Sequence, residues 1–166
     1  IDPERIGIIG LSQGGAVASL AAAQDDRVQS VVLWSAAANL ASNYANILSM
    51  ETLQAGLALP DGEALAITLP WGEETSMKRQ FFEELYTVDP VAAITGYSNP
   101  LLVIVGSRDT TVYPQPLQGQ IFLNYHEGEE ALLLLDGDHV FDVLATGPEV
   151  VDLAIFNSLA WFNNTL

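Results

Sequence analysis

The sequence contains no cysteine, 2 histidines, and 5 lysine and arginine residues against 21 aspartates and glutamates. Without cysteine the chain forms neither disulfides nor thiolate metal sites, and two histidines are too few for a histidine-rich metal centre. The formal net charge of −16 repels phosphate backbones and anionic lipids, so we expect neither a nucleic-acid nor a membrane partner. No apolar run approaches the roughly 18 residues of a membrane-spanning helix. The chain has 166 residues, 49% of them hydrophobic, which is enough for a globular core.

A strand, a sharp turn and a helix are predicted over residues 6–23. Residues 6–11 form the apolar run of a strand buried on both faces, and small helix-favouring residues follow the turn. Gly10, Ser12 and Gly14 match the G-x-S-x-G pattern of a nucleophile elbow, in the strand–turn–helix context which that motif requires. A five-residue pattern also occurs by chance in glycine-rich turns, so its weight depends on the rest of the chain.

The elbow geometry explains these residue types. A chain that turns from strand to helix within a few residues places Ser12 in a strained conformation. Cβ atoms at Gly10 and Gly14 are expected to clash with the turn and with the close approach of helix and strand, and Gly15 leads on into the helix. The turn presents the Ser12 hydroxyl at the positive end of the helix, where the N–H of Gln13 is expected to donate to an oxyanion.

An α/β fold with a mostly parallel sheet of about four strands and flanking helices is predicted. A strand–helix–strand unit with a short return is typical of parallel pairing. The strands are predicted at residues 6–11, 28–34, 100–106 and 131–135, and the later helices at residues 115–125 and 149–163. The last helix has the predicted core residues Val150, Leu153, Ala154, Phe156 and Trp161.

A helical insertion separates the second strand from the third. The domains are therefore predicted as a core of residues 1–35 and 99–166 and a cap or lid of residues 36–98. A connection of this length usually packs as a unit of its own, although an irregular pair of crossover helices is the alternative. The elements of the insertion are predicted at residues 44–57 (helix), 64–71 (strand or loop) and 76–86 (helix).

A nucleophilic serine needs a base within hydrogen-bond reach, and that base needs an orienting acid. His126 lies at the end of a polar helix and is expected to face solvent. His139 follows the fourth strand, where catalytic groups of parallel sheets gather, and is the expected base. Asp109 follows the third strand and is the expected acid. Asp136 and Asp138 are the alternatives, but their nearness to the base in the sequence favours turn-forming roles.

Ser12, Asp109 and His139 thus occur in the order nucleophile, acid, base, each just after a strand. The chain resembles the α/β-hydrolase superfamily in the segments GLSQGG, GSRDTTVYP and GDHVF. The resemblance implies a partial α/β-hydrolase fold, and a serine ester hydrolase that works through an acyl-enzyme on a small-molecule ester. It implies no metal and no organic cofactor.

The insertion resembles the cap of cinnamoyl and feruloyl esterases and of related bacterial carboxylesterases. Peptidases of the prolyl oligopeptidase type share the G-x-S-x-G-G elbow but usually lack so long an insertion, so we rank them lower. A thioesterase would use the same triad. Four aromatic residues either line an acyl pocket or simply pack in the core, namely Trp34, Trp71, Phe81 and Phe82.

The resemblance also implies strands and helices before the nucleophile strand, including a loop that supplies the second oxyanion donor. The chain begins at Ile1 rather than Met, directly before that strand, so we expect it to be part of a longer protein. The Ile6–Leu11 strand edge would then be covered by an N-terminal half or by self-association. Loss of one oxyanion donor lowers kcat about 100- to 1000-fold, so we expect weak activity. A non-catalytic fragment serving as a folding or assembly module is the second interpretation.

Overall fold

The computed structural model describes residues 2–145 and 147–166. In chain order the elements are β1 (Ile6–Leu11), α1 (Gln13–Ala22), β2 (Val28–Trp34), α2 (Leu40–Leu48), α3 (Met50–Leu57), β3 (Ala64–Thr68), β4 (Glu74–Lys78), α4 (Arg79–Thr87), α5 (Pro90–Ile94), β5 (Leu101–Gly106), α6 (Leu117–Leu123), β6 (Glu130–Leu135) and α7 (Glu149–Thr165). None of the helices within the described residues is both long enough and apolar enough to cross a membrane.

Four of the strands form one parallel sheet in the order β1-β2-β5-β6. The predicted α/β class and all four predicted core strands are confirmed. Every residue of β5 is buried, because this central strand is covered on both faces and paired on both edges. That environment explains why its sequence is a continuous apolar run rather than an alternating one.

Successive side chains of the central strands β2 and β5 enter two different apolar clusters, as the pleat of a strand requires. Val31 and Leu33 of β2 join a cluster with residues of α1, α5 and α6. Val32 of the same strand joins a second cluster with Phe141 and with Ala154 of α7. The sheet is therefore covered by helices on both faces.

The chain divides into two compact units. The sheet and its helices form one, which extends up to Ala38 and resumes at Pro90, and residues 39–89 form the other. The predicted insertion spanned residues 36–98, and in the structure the helix α5 belongs to the sheet unit instead. This helix lies against α1, which makes it part of the cover of the sheet.

Two predicted elements of the second unit are wrong in detail. The single helix over residues 44–57 is two helices, because Ser49 has φ 82° and its hydroxyl accepts a hydrogen bond from the Thr52 N–H, starting α3. The helix over residues 76–86 begins only at Arg79. Residues 76–78 belong to β4, which pairs antiparallel with β3.

Helix α7 differs from its prediction in which residues it buries. Ala154 is fully buried as expected, but Leu153 is half-exposed and Phe156 is 68% exposed. Leu153, Phe156 and Leu159 recur at helical spacing and form an exposed apolar stripe on α7. The prediction failed because periodicity shows that a face is apolar but not whether anything covers it.

Strand β1 lies at the edge of the sheet and exposes apolar side chains. Ile9 and Leu11 are 48% and 39% exposed. They lie on the same face of the sheet as α7, since a Cβ at Gly7, two residues before Ile9, would lie 2.6 Å from the Phe162 ring. The edge strand and the stripe of α7 together leave an unusual amount of apolar surface in contact with water.

We expect this chain to self-associate through the edge of β1. Added salt should raise the oligomeric fraction, because it screens the repulsion between molecules of net charge −16. Light scattering coupled to size-exclusion chromatography measures this. Ile9→Lys should shift the chain to monomer, whereas Leu117→Lys should not, although Leu117, on α6, is 60% exposed and Ile9 is 48% exposed. A single monomeric mass at every salt concentration would contradict the expectation.

Candidate active site

Ser12 occupies a strained turn between β1 and α1. Its backbone has φ 57° and ψ −123°, a region that residues other than glycine rarely adopt. The end of β2 and the segment after it hold the turn in place: the Ser12 N–H donates to the Trp34 carbonyl over 2.8 Å, and the Ser12 carbonyl accepts from the Ala37 N–H over 3.3 Å. Strain of this kind costs about 1–3 kcal/mol and persists where surrounding contacts fix the backbone. The strain expected at Ser12 is present.

Two of the three elbow glycines are required by close contacts. A Cβ at Gly10 would lie 2.2 Å from the Gly14 carbonyl oxygen, and a Cβ at Gly15 would lie 2.4 Å from the Ala36 side chain. The steric role expected for Gly14 itself is wrong, because a Cβ there meets nothing within 4 Å. The tight approach between the strand and the helix therefore involves the backbone of Gly14 and not the space beside its Cα.

Gln13 begins α1, so its backbone N–H lies in the first turn of that helix, next to Ser12. Backbone N–H groups in a first turn point away from the helix along its axis, towards the positive end of the dipole. This placement is compatible with the oxyanion role predicted for Gln13.

Asp109 lies in the turn after β5, with its carboxylate fully buried. One carboxylate oxygen accepts hydrogen bonds from the N–H groups of Thr111 at 2.8 Å and Val112 at 2.9 Å. The other lies 2.8 Å from Nδ1 of His139. Because a carboxylate only accepts hydrogen bonds, Nδ1 carries the proton and Nε2 is left as the basic nitrogen.

The loop that carries His139 bends back over the end of β5. A Cβ at Gly106, the last residue of β5, would lie 2.3 Å from the Asp138 carbonyl oxygen and 2.6 Å from that of Gly137. Since β6 is the strand farthest from β1, a loop that ran straight on would leave the histidine about 14 Å from the nucleophile strand. Glycine at position 106 lets the loop cross towards the other strands.

The structure thus joins the predicted acid and the predicted base directly. Within residues 2–145 and 147–166, no hydrogen bond links the Ser12 hydroxyl to His139. In unliganded hydrolytic sites this contact is often long and tightens when the substrate binds. Ser12, Asp109 and His139 each follow the carboxyl end of a strand in one parallel sheet. They therefore lie at the same end of the sheet, the end where its strands terminate.

The alternative acids have other contacts. Asp138 accepts hydrogen bonds from the N–H groups of Val140 and Asp142, at 2.9 and 2.8 Å, and so fixes the turn. Asp136 is exposed and pairs with Arg108 at 2.9 Å. These are the turn-forming roles expected of residues so near the histidine in the sequence.

The expectation that His126 faces solvent is wrong. Its ring is buried, with Nε2 donating to the Asn99 carbonyl at 3.0 Å and Nδ1 accepting from the Gly128 N–H at 3.2 Å. The Nε2 contact joins the segment after α6 to the segment before β5, and the Nδ1 contact fixes the turn that follows α6. The polar surroundings of His126 in the sequence concealed this, because its partners are backbone groups.

The aromatic residues suggested for an acyl pocket have different positions. Trp34 packs edge-on against Phe141 at 5.3 Å, and its indole N–H donates to Ser158 of α7. Phe82 is fully buried in the second unit, and Trp71 is exposed in the turn between β3 and β4. Core packing therefore accounts for Trp34 and Phe82.

Sequence comparisons give a family. A model of the prolyl oligopeptidase family matches residues 1–142. A comparison with curated proteins gave no match.

Comparisons with solved structures show the fold. The esterase domain of a Rhodothermus marinus protein matches with a TM-score of 0.68 and 20% identity, over 93% of this chain and 60% of that one. A puromycin-hydrolysing peptidase of Mycobacterium tuberculosis matches at 0.68 and 20%, over 99% and 22%. An acylaminoacyl peptidase of Pyrococcus horikoshii matches at 0.68 and 18%, over 99% and 24%. This chain therefore spans three fifths or less of the length of these proteins.

Proposed function

The chain belongs to the prolyl oligopeptidase family, and we propose that it carries the serine site of an α/β-hydrolase that works through an acyl-enzyme. The observation that carries the proposal is the buried 2.8 Å contact between Asp109 and His139, at the sheet edge where the elbow presents Ser12. A buried carboxylate paired with an imidazole in this way is the arrangement that a serine nucleophile needs.

In the proposed reaction, Ser12 Oγ attacks the carbonyl carbon of the substrate while Nε2 of His139 takes the hydroxyl proton. The imidazolium then returns that proton to the leaving alcohol or amine, and the acyl group stays on Ser12. A water molecule then attacks the carbonyl carbon of the acyl-enzyme while Nε2 of His139 takes its proton. The imidazolium returns that proton to Ser12 Oγ, and the carboxylic acid leaves. Asp109 holds the ring in the Nδ1–H tautomer and stabilises the imidazolium, and the Gln13 N–H donates to the oxyanion.

Esters are the substrates that we propose first. An ester needs less stabilisation of its oxyanion and leaving group than an amide, and Gln13 is the one oxyanion donor that the sequence identifies. The net charge of −16 favours neutral or cationic acyl compounds over anionic ones.

Peptides are the second candidate class, and the family membership favours them. The two classes share the triad and differ in the pocket. The second unit, residues 39–89, is proposed as a cap.

A direct test compares two neutral chromogenic substrates, p-nitrophenyl butyrate and an N-blocked dipeptide p-nitroanilide. We expect measurable turnover of the ester and at least tenfold lower kcat/KM for the anilide, both lost in Ser12→Ala. A higher kcat/KM for the anilide would favour the peptidase assignment. No turnover of either by a folded sample would favour the alternative that this chain is a non-catalytic assembly module.

A further inference from the structure

The loop of residues 136–142 is crowded with negative charge. It contains Asp136, Asp138 and Asp142 within seven residues, and its histidine contacts the carboxylate of Asp109. Four carboxylates gathered at the ends of the neighbouring strands β5 and β6 repel one another. Only 5 of the 166 residues of the chain are lysine or arginine, and one of them, Arg108, contacts this loop.

Arg108 binds both ends of the loop at once. Its Nε donates to Asp136 Oδ1 at 2.9 Å, and its Nη2 donates to the Asp136 carbonyl at 3.1 Å and to Asp142 Oδ2 at 2.6 Å. Its own backbone N–H donates to the Gly137 carbonyl at 2.9 Å. The planar guanidinium presents several donors in fixed directions, so one side chain can bind both carboxylates and a carbonyl group. The compact ammonium group of a lysine would not reproduce this whole set of contacts.

The C-terminal end of the loop has a backbone conformation that contacts must stabilise. Phe141 and Asp142 both have positive φ angles, 57° and 58°, which side-chain-bearing residues adopt only when contacts fix them. The Asp142 carboxylate supplies two such contacts. Oδ2 accepts from Arg108, and Oδ1 accepts from the Asp138 N–H at 3.0 Å. This hydrogen bond, and then the Arg108 guanidinium, hold the pKa of Asp142 below its usual value, so it stays ionised for the pair.

We propose that Arg108 is a positioning residue for His139, because its guanidinium binds Asp136 and Asp142, on either side of the histidine, to the strand end that carries Asp109. Arg108 and Asp109 are consecutive, so one turn after β5 holds the loop at three points: Asp109 holds the ring, and Arg108 holds Asp136 before it and the Asp142 carboxylate after it. The inference rests on the proposed function only in taking His139 as the base.

The Arg108 side chain is 54% exposed and Asp136 is 87% exposed, so the pair between them contributes little to global stability. The pair with Asp142, which is 17% exposed, joins two segments at the surface end of the sheet and not in the apolar core. A positioning role therefore predicts that the substitution changes the reaction rate but not the melting temperature. Removal of the guanidinium should leave the melting temperature nearly unchanged but should let the loop move, and misplacement of a catalytic group by about 1 Å lowers rates about 100-fold.

The test follows the low-field NMR resonance of the His139 Nδ1 proton, identified by its loss in His139→Gln, together with the rate of labelling by a fluorophosphonate. Arg108→Gln should broaden or remove the resonance and slow labelling about 10- to 100-fold, with a change in melting temperature of under about 3 °C. Arg108→Lys should restore part of both signals. Arg27→Gln, which breaks an exposed arginine–aspartate pair elsewhere in the same unit, should change neither.

Two results would overturn the proposal: an unchanged resonance and labelling rate in Arg108→Gln, or a large fall in melting temperature that accompanies their loss. Failure of the proposed function gives a different result. In that case wild-type Ser12 is not labelled, yet the resonance still reports whether Arg108 holds His139 against Asp109.

Discussion

Asp109→Asn is expected to lower the rate of acylation of Ser12 by about 10,000-fold while the fold is kept. One carboxylate oxygen accepts from the N–H groups of Thr111 and Val112, so the amide oxygen of the variant must take that place. The NH₂ group then faces His139 and donates to Nδ1. The imidazole proton moves to Nε2, and the base can no longer take a proton from the serine.

The measurement is the pre-steady-state rate with p-nitrophenyl butyrate, alongside the melting temperature. Asp136→Asn is the matched control, because that residue is exposed and its amide oxygen can still accept from Arg108. We expect less than a tenfold effect from the control. Comparable losses in the two variants would contradict the assignment of the acid to Asp109.

Gly10→Ala is expected to destabilise the chain by about 3 kcal/mol, because the added methyl group meets backbone and not side chains. Its Cβ would lie 2.2 Å from the Gly14 oxygen, 2.5 Å from the Gly14 carbonyl carbon and 2.8 Å from the Gly15 Cα. These atoms form the first turn of α1, so relief requires the whole helix to move away from β1. The melting temperature should fall by about 6–12 °C.

Gly14→Ala is the matched comparison, in the same turn and with the same added methyl group. A Cβ there has no neighbour within 4 Å, and alanine favours the helix over glycine, so we expect an unchanged or slightly raised melting temperature. Equal destabilisation by the two substitutions would show that the elbow is not packed as described.

Much of the fold could be predicted because its strands are buried. The apolar runs at residues 31–34 and 101–106 are continuous, and this pattern is typical of central strands in a parallel sheet. The second unit was harder to predict. Met77 resembles one member of an apolar helix face, but it lies in β4, where pairing with β3 overrides a short periodic signal.

The candidate site divides in the same way. The order of Ser12, Asp109 and His139 could be predicted, since each follows a strand end. The contacts of Arg108 with Asp136 and Asp142 could not be predicted, because these partners lie 28 and 34 positions away in the sequence. An arginine in a polar loop would ordinarily be expected to face solvent. The burial of His126 could not be predicted either, since the ring is fixed by backbone groups, and one of them, the Asn99 carbonyl, lies 27 positions away.

The ranking of branches within the superfamily was not supported. The length of the insertion favoured the esterases with caps, but the family match falls on the prolyl oligopeptidase family. Insertion length is a weak guide, because surface insertions between core strands are tolerated thermodynamically whatever the chemistry at the strand ends.

The central claim is that Ser12, His139 and Asp109 form a working site in this chain. The most direct test is reaction of the chain with a fluorophosphonate probe, beside Ser12→Ala, followed by mass spectrometry of the labelled peptide. We predict a single adduct on Ser12, absent from Ser12→Ala and strongly slowed in Asp109→Asn. A folded sample that takes up no probe, or that takes it up on another residue, would contradict the account.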